Sequence, residues 1–112
     1  MRLIPWLRAA ARGDLDDREM LGVRLDGHPV ALFALADGIF AASNVCPHMG
    51  ALLTHGCVVQ GYVECPMHHA LFDIRTGEPD GSVTDRRLRT YPVKVEGDDI
   101  YVELPAAEEH TT

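Results

Sequence analysis

Cys46-Pro47-His48-Met49-Gly50-Ala51 and Cys65-Pro66-Met67-His68 are the two stretches that decide how this chain is read. Each offers one thiolate and one imidazole within a few residues, and each contains a proline that breaks regular structure. Cys46 and His48 are two apart, too close to share a helix face, where side chains recur at three or four. Two turns must therefore meet tip to tip, which makes Cys46, His48, Cys65 and His68 two halves of one candidate metal site.

The order of ligand types narrows the metal. Structural zinc sites usually pair Cys with Cys at C-x2-C and His with His. Here C-x-H is followed, after sixteen residues, by C-x2-H. That pattern suits a [2Fe–2S] centre in which two His replace two Cys on one iron. A structural zinc module, which would be colourless, is the competing reading. Taking both loops together, the sequence resembles the Rieske iron–sulfur proteins. The matching string is Cys46-Pro47-His48-Met49-Gly50-Ala51, then Cys65-Pro66-Met67-His68, then Phe72-Asp73 and Thr76-Gly77, and the resemblance runs from about Trp6 to Leu104.

The resemblance implies one Rieske-type [2Fe–2S] cluster, with Cys46 and Cys65 on the inner iron and His48 and His68 on the outer. Two ferric ions, two sulfides and two thiolates sum to zero charge, so such a centre accepts an electron at about −150 to +300 mV, against roughly −400 mV for four-thiolate ferredoxins. Respiratory members of the family add a disulfide and hydroxyl groups around the cluster. The corresponding positions here are Ala51 and Met67, and Ala70 and Phe72, so the low-potential class is expected. Members commonly carry Gly where Ala70 stands and proline where Val83 stands. Large oxygenase subunits of the family continue into a domain with a mononuclear iron, and 112 residues leave no room for one.

The resemblance therefore points to a Rieske ferredoxin of aromatic ring-hydroxylating dioxygenase systems. Such a protein is a one-electron carrier, not itself catalytic, taking electrons from a flavin-dependent ferredoxin reductase and passing them to a terminal Rieske oxygenase. The alternative is a small subunit of a nitrite-reductase-like or other oxidoreductase complex.

Composition agrees with one globular domain over 1–112. Apolar residues make up 46% and charged residues 24%, values typical of folded proteins. No apolar run approaches the ~20 residues of a membrane span, and no signal segment is recognisable, so the expected compartment is the cytoplasm, with no membrane partner. The net charge of −7 argues against nucleic acid as a partner, which needs a basic stripe, and favours a basic protein surface. Three cysteines do not make a disulfide framework. Cys57, left over, is read as a small buried apolar residue.

Turn signals arrive at short intervals, so the fold class is all-β, an antiparallel Rieske-type sandwich or barrel. The pattern predicts an opening strand around Leu3 to Leu7, and a polar turn or short helical bend from Leu15 to Glu19. It then predicts strands over Leu21–Leu25, Val30–Leu35 and Ile39–Ala42, with turns at Asp26-Gly27 and Asp37-Gly38. The first loop follows, anchored by Leu52 and Leu53. Cys57–Val59, Tyr62–Glu64 and Ala70–Ile74 are read as strands that deliver the second loop. A cluster-binding subdomain at about 44–78 results. Leu88 to Val95 reads as one strand with Pro92 at an edge or bulge, and Ile100–Leu104 as the last, before a polar tail at 105–112. His69 is read as an exposed neighbour of the ligand, Asp73 and Thr76-Gly77 as braces of the second loop, and Arg86, Arg87 and Arg89 as a solvated face. His28, His55 and His110 receive no role.

Overall fold

The computed structural model describes residues 6–47 and 50–105. Its strands are β1 (Trp6–Ala11), β2 (Met20–Leu25), β3 (His28–Leu35), β4 (Gly38–Ser43), β5 (Cys57–Val59), β6 (Tyr62–Glu64), β7 (Leu71–Asp73), β8 (Thr90–Tyr91), β9 (Val93–Glu96) and β10 (Asp99–Glu103). Short 3₁₀ turns cover Arg12–Leu15 and Leu53–His55. All strand pairs are antiparallel and form three sheets, β1-β10-β9, β2-β3-β4-β8 and β5-β6-β7. No helix in the described residues is long and apolar enough to cross a membrane.

The central sheet is organised by β3, whose Val30-Ala31-Leu32-Phe33 run is fully buried. Successive strand residues face opposite sides. Val30, Leu32 and, from β4, Ala41 pack with Ile100, Val102 and Leu104 of the first sheet and its exit. Ala31, Phe33 and Ala42 pack instead with Val63, Phe72, Cys46 and Cys65. A strand buried on both faces reads as a continuous apolar run, and so does this one. The two cysteines are thus part of one of the two cores, not appendages to it.

Local chemistry explains the hairpins. Asp26 and Gly27 take φ of 50° and 83° between the paired residues Leu25 and His28, the two positive values that a type I′ turn requires. Gln60-Gly61 repeats this between β5 and β6, with φ of 51° and 86°. The β3–β4 hairpin differs from expectation: Leu35 pairs with Gly38, which leaves Ala36-Asp37 at the tip. Gly38, at φ 152°, supplies its unusual backbone one residue later than the D-G pattern suggests.

The predicted strand from Leu88 to Val95 is two strands in two sheets. Thr90 and Tyr91 pair with β4, and Val93 onward pairs with β10. Pro92 has no N–H to continue a ladder, so the chain crosses between sheets there, and the Pro92 carbonyl accepts a hydrogen bond from Glu103 N–H at 3.0 Å. The opening strand runs over Trp6–Ala11; Leu3 and Ile4, like tail residues 106–112 with His110, lie outside the described residues. The helical bend falls at Arg12–Leu15, where the Asp14 carboxylate accepts the Ala11 N–H at 2.9 Å. Leu53 is fully buried, as an anchor should be, whereas Leu52 is exposed. Leu52 contributes through its backbone, bridged to Val45.

Candidate metal centre

The first loop leaves β4 and is closed by two backbone bonds, Cys46 N–H to the Ala51 carbonyl and Gly50 N–H to the Cys46 carbonyl, both 2.8 Å. Gly50 has φ 78°, where an L-residue is strained whatever the space around it. Asn44, the one buried polar side chain among the described residues, staples the loop's base. Its Oδ1 accepts Thr54 N–H and its Nδ2 donates to Thr54 Oγ1, each at 2.9 Å, while its carbonyl accepts Leu53 N–H at 2.8 Å. Nothing in the sequence pattern singled this residue out, because one asparagine before a loop carries no periodic signal. Asn44→Ala orphans the Thr54 amide, a loss of about 1–3 kcal/mol for a buried donor. Urea unfolding should move to lower denaturant, with faster iron release from the loaded protein.

The second loop leaves β6 and returns in β7. Cys65 N–H donates to the Ala70 carbonyl at 2.8 Å, so the four residues Pro66, Met67, His68 and His69 turn the chain back within one hairpin. His68 and His69 take φ of 67° and 61°, left-handed backbone that costs a non-glycine residue roughly 1–2 kcal/mol. Strain of this kind is sustained only where the surroundings hold it, and it gathers at functional loops. Pro66, Met67, His68 and His69 are all exposed, while Cys65 and Ala70 are fully buried. The loop therefore inserts its thiol into the core and presents an imidazole outward.

The structure brings Cys46 and Cys65 together. Both are buried and unbridged, and they share one apolar core. Burial pushes the Cys65 thiol up; the Met67 amide, donating to its Sγ at 3.4 Å, pulls the other way, and the Cys46 thiol adds to the rise. The Cys65 sulfur, which burial holds back from ionising, would be stabilised as a thiolate by the positive charge that a bound metal supplies. The donor set fits iron held by two thiolates and two imidazoles. His48 lies outside the described residues, and His68 stands at the exposed tip of the second loop.

Ala70 and Phe72 are buried in the same core as the two cysteines, and neither offers a hydroxyl to a sulfur. Asp73 and Thr76 brace the loop's exit, accepting the amides of Arg75 at 2.8 Å and Glu78 at 3.1 Å. Arg87 is more than a solvated charge: it pairs with Glu78 at 2.9 Å and donates to the Thr76 carbonyl at 3.0 Å. Cys57 corrects the expectation of burial. It is exposed on β5, the edge strand of its small sheet, with its thiol 3.6 Å from Glu64 Oε1. Desolvation and that carboxylate hold the thiol above its ordinary range. Trp6 lies at an edge, its ring 4.8 Å from the Lys94 ammonium.

Residues 5–92 match the Rieske [2Fe-2S] domain family. The chain is 32% identical over 99 residues to the ferredoxin component of a naphthalene 1,2-dioxygenase system from Pseudomonas aeruginosa, covering 88% of this chain and 95% of that one. The fold superposes with a TM-score of 0.80 and 29% identity on a chain from the complex of reduced oxygenase and oxidized ferredoxin in carbazole 1,9a-dioxygenase, covering 88% of this chain and 92% of that one. It also superposes, at TM-score 0.82 and 30% identity, on a protein assigned as the small subunit of an NADH-dependent nitrite reductase from Mycobacterium tuberculosis, over 95% of this chain and all of that one.

Proposed function

This chain belongs to the Rieske [2Fe-2S] domain family, and from that premise we propose that Cys46, His48, Cys65 and His68 hold its cluster, and that it takes electrons from a flavin-dependent reductase and delivers them to a terminal ring-hydroxylating oxygenase. The protein is a Rieske ferredoxin, an electron carrier and not a catalytic subunit. One observation carries the ligand assignment: two unbridged, buried cysteines share one apolar core, and the second of them opens a loop on which His68 is exposed.

The cluster, when bound, supplies a one-electron redox couple. The chain's own residues decide how that couple is held and reached. Cys46 and Cys65 keep one side dry, and the Met67 amide offsets negative charge on the Cys65 sulfur. An imidazole at the exposed tip of the second loop gives electrons a short path to a docked partner, and its ring N–H can donate across the contact. The absence of hydroxyls at the buried positions Ala70 and Phe72 supports the low-potential class, so a redox titration should place the midpoint near the lower end of the Rieske range, about −150 mV. A strongly positive midpoint would contradict this.

The charge distribution refines the expected partner surface. Residues 44–89 carry five acidic and four basic side chains, and the rest of the chain twelve and six. The segment bearing both loops is thus nearly neutral, and the negative charge lies on the scaffold. A basic docking patch is not required of the partner.

Two proteins named above support the oxygenase as acceptor, one by its place in a dioxygenase system and one by its complex with an oxygenase. The likeness to the nitrite reductase subunit favours a second reading, a fixed relay within a larger complex. The loaded protein should be red-brown and, reduced by dithionite, show the low-average-g EPR signal of a mixed Cys/His cluster. Added as a free component, it should restore turnover between a flavoprotein reductase and a Rieske oxygenase. Purification only as a stoichiometric complex, with no transfer in trans, would favour the fixed relay. Zinc in a colourless protein would refute both.

A further inference from the structure

Two adjacent histidines, His68 and His69, follow Cys65, and one imidazole is needed. Sequence spacing alone does not choose between C-x2-H and C-x3-H. The structure ties one of the two histidines, His69, to a neighbouring strand. His69 Nδ1 lies 2.6 Å from Glu64 Oε2, and the two side chains are 75% and 25% exposed. Glu64 is the last residue of β6, paired on either side with Cys57 and Leu71, so its carboxylate is carried by a strand with neighbours on both edges. Its other oxygen faces the Cys57 thiol.

His69 is thereby tied to the end of β6. It lines a cleft of about 350 Å³ with His55, Gly56, Cys57, Glu64, Cys65 and Pro66, a cleft that includes no described residue of the first loop. His68 and His69 share helical-type backbone of left hand, in which successive side chains project about 100° apart. Fixing one ring on β6 therefore fixes the sector left to the other.

We propose that Glu64 is a positioning residue that selects His68 as the ligand by sequestering His69. This rests on the assignment of His68 as an iron ligand made above. The rival arrangement has real chemical appeal, because a carboxylate behind an imidazole is also a common outer partner of a metal-bound histidine. In that case His69 would be the ligand and Glu64 its support. The cleft that the His69 ring lines is not lined by Cys46, the other buried thiol, and this argues against it.

The test uses the full chain reconstituted with iron and sulfide, with iron content, EPR and far-UV circular dichroism as readouts. His69→Gln should keep the parent EPR signal and iron content, and His68→Gln should lose both. Adding Glu64→Ala to His68→Gln releases His69 and should restore a mixed Cys/His signal at part of the parent iron content. Adding Glu64→Gln instead should not, because the amide oxygen still accepts from His69. If the Glu64→Ala double variant stays as empty as His68→Gln, the selecting role fails while the ligand assignment stands. If His68→Gln retains the cluster and His69→Gln loses it, the assignment itself fails. Should the variants lacking His68 not fold, Glu64→Ala alone decides: it keeps both imidazoles and should give two superimposed EPR species, and a single species identical to the parent's would overturn the proposal.

Discussion

Gly56→Ala is expected to cripple both folding and cluster loading, a result that would look out of proportion to one methyl group. Gly56 follows the 3₁₀ turn Leu53–His55, to which its N–H is tied at 2.9 Å. Its φ of −96° is open to any residue, so conformational freedom at φ is not the reason for glycine. The reason is space. A Cβ here would run into the Glu64 carbonyl and crowd Pro66. The carbonyl is backbone, held in a strand paired on both sides, and it cannot turn away as a flexible side chain would. Relief must come from separating the 53–56 turn from β6, which moves Cys65 relative to Cys46. Overpacking alone typically costs about 1–3 kcal/mol, and a rigid backbone obstacle belongs at or above the top of that range. Gly97→Ala is the control. Gly97 has φ 61° but nothing within 4 Å of its would-be Cβ, so only the backbone penalty applies, about 1 kcal/mol. Urea unfolding with iron determination should show Gly97→Ala slightly weakened and fully loaded, and Gly56→Ala strongly destabilised with little bound iron. Equal, mild effects would show that the turn and β6 separate easily.

That glycine was not legible in the sequence, and the contrast with what was legible has a physical basis. The two loops proposed to hold the cluster stood out because metal chemistry needs particular side chains at particular spacings, and of those side chains Cys46 and Cys65 share one core. The D-G turn at Asp26-Gly27 was legible because its backbone demand is local. Gly56, Asn44 and Glu64 act through partners eight, ten and five residues away, and such partners appear only once the chain has folded. The strand change at Pro92 was half legible. Proline announced an interruption, but only the pairing of β8 with β4 and β9 with β10 shows that the interruption is a crossing between sheets. Cys57 was misread for a related reason: a preference for burial is a statement about cysteines in general, whereas an edge strand leaves this one open.

Phe72→Ala and Ile100→Ala should separate the two cores of the molecule by function. Both side chains are fully buried. Phe72 packs in the core that contains Cys46 and Cys65, and is paired on the small sheet with Val63. Ile100 packs in the core on the other face of the central sheet. Truncation should cost about 3–5 kcal/mol for the phenylalanine and 2–5 for the isoleucine, against total stabilities of roughly 5–15 kcal/mol for domains of this kind. Stability alone would hardly distinguish them. Their effects on the metal site should differ sharply, because a void beside Phe72 removes the packing that holds the two thiols against each other and opens a dry site to water, whereas a void beside Ile100 is separated from them by β3 and β4. Below its unfolding transition, the Ile100 variant should keep the parent EPR line shape and midpoint potential. The Phe72 variant should load less iron, lose it faster to a chelator and show a broadened signal. The same loss in both variants would mean that the two faces of the central sheet behave as one cooperative unit, and that burial of the cysteines depends on the whole sandwich and not on the core they share with Phe72.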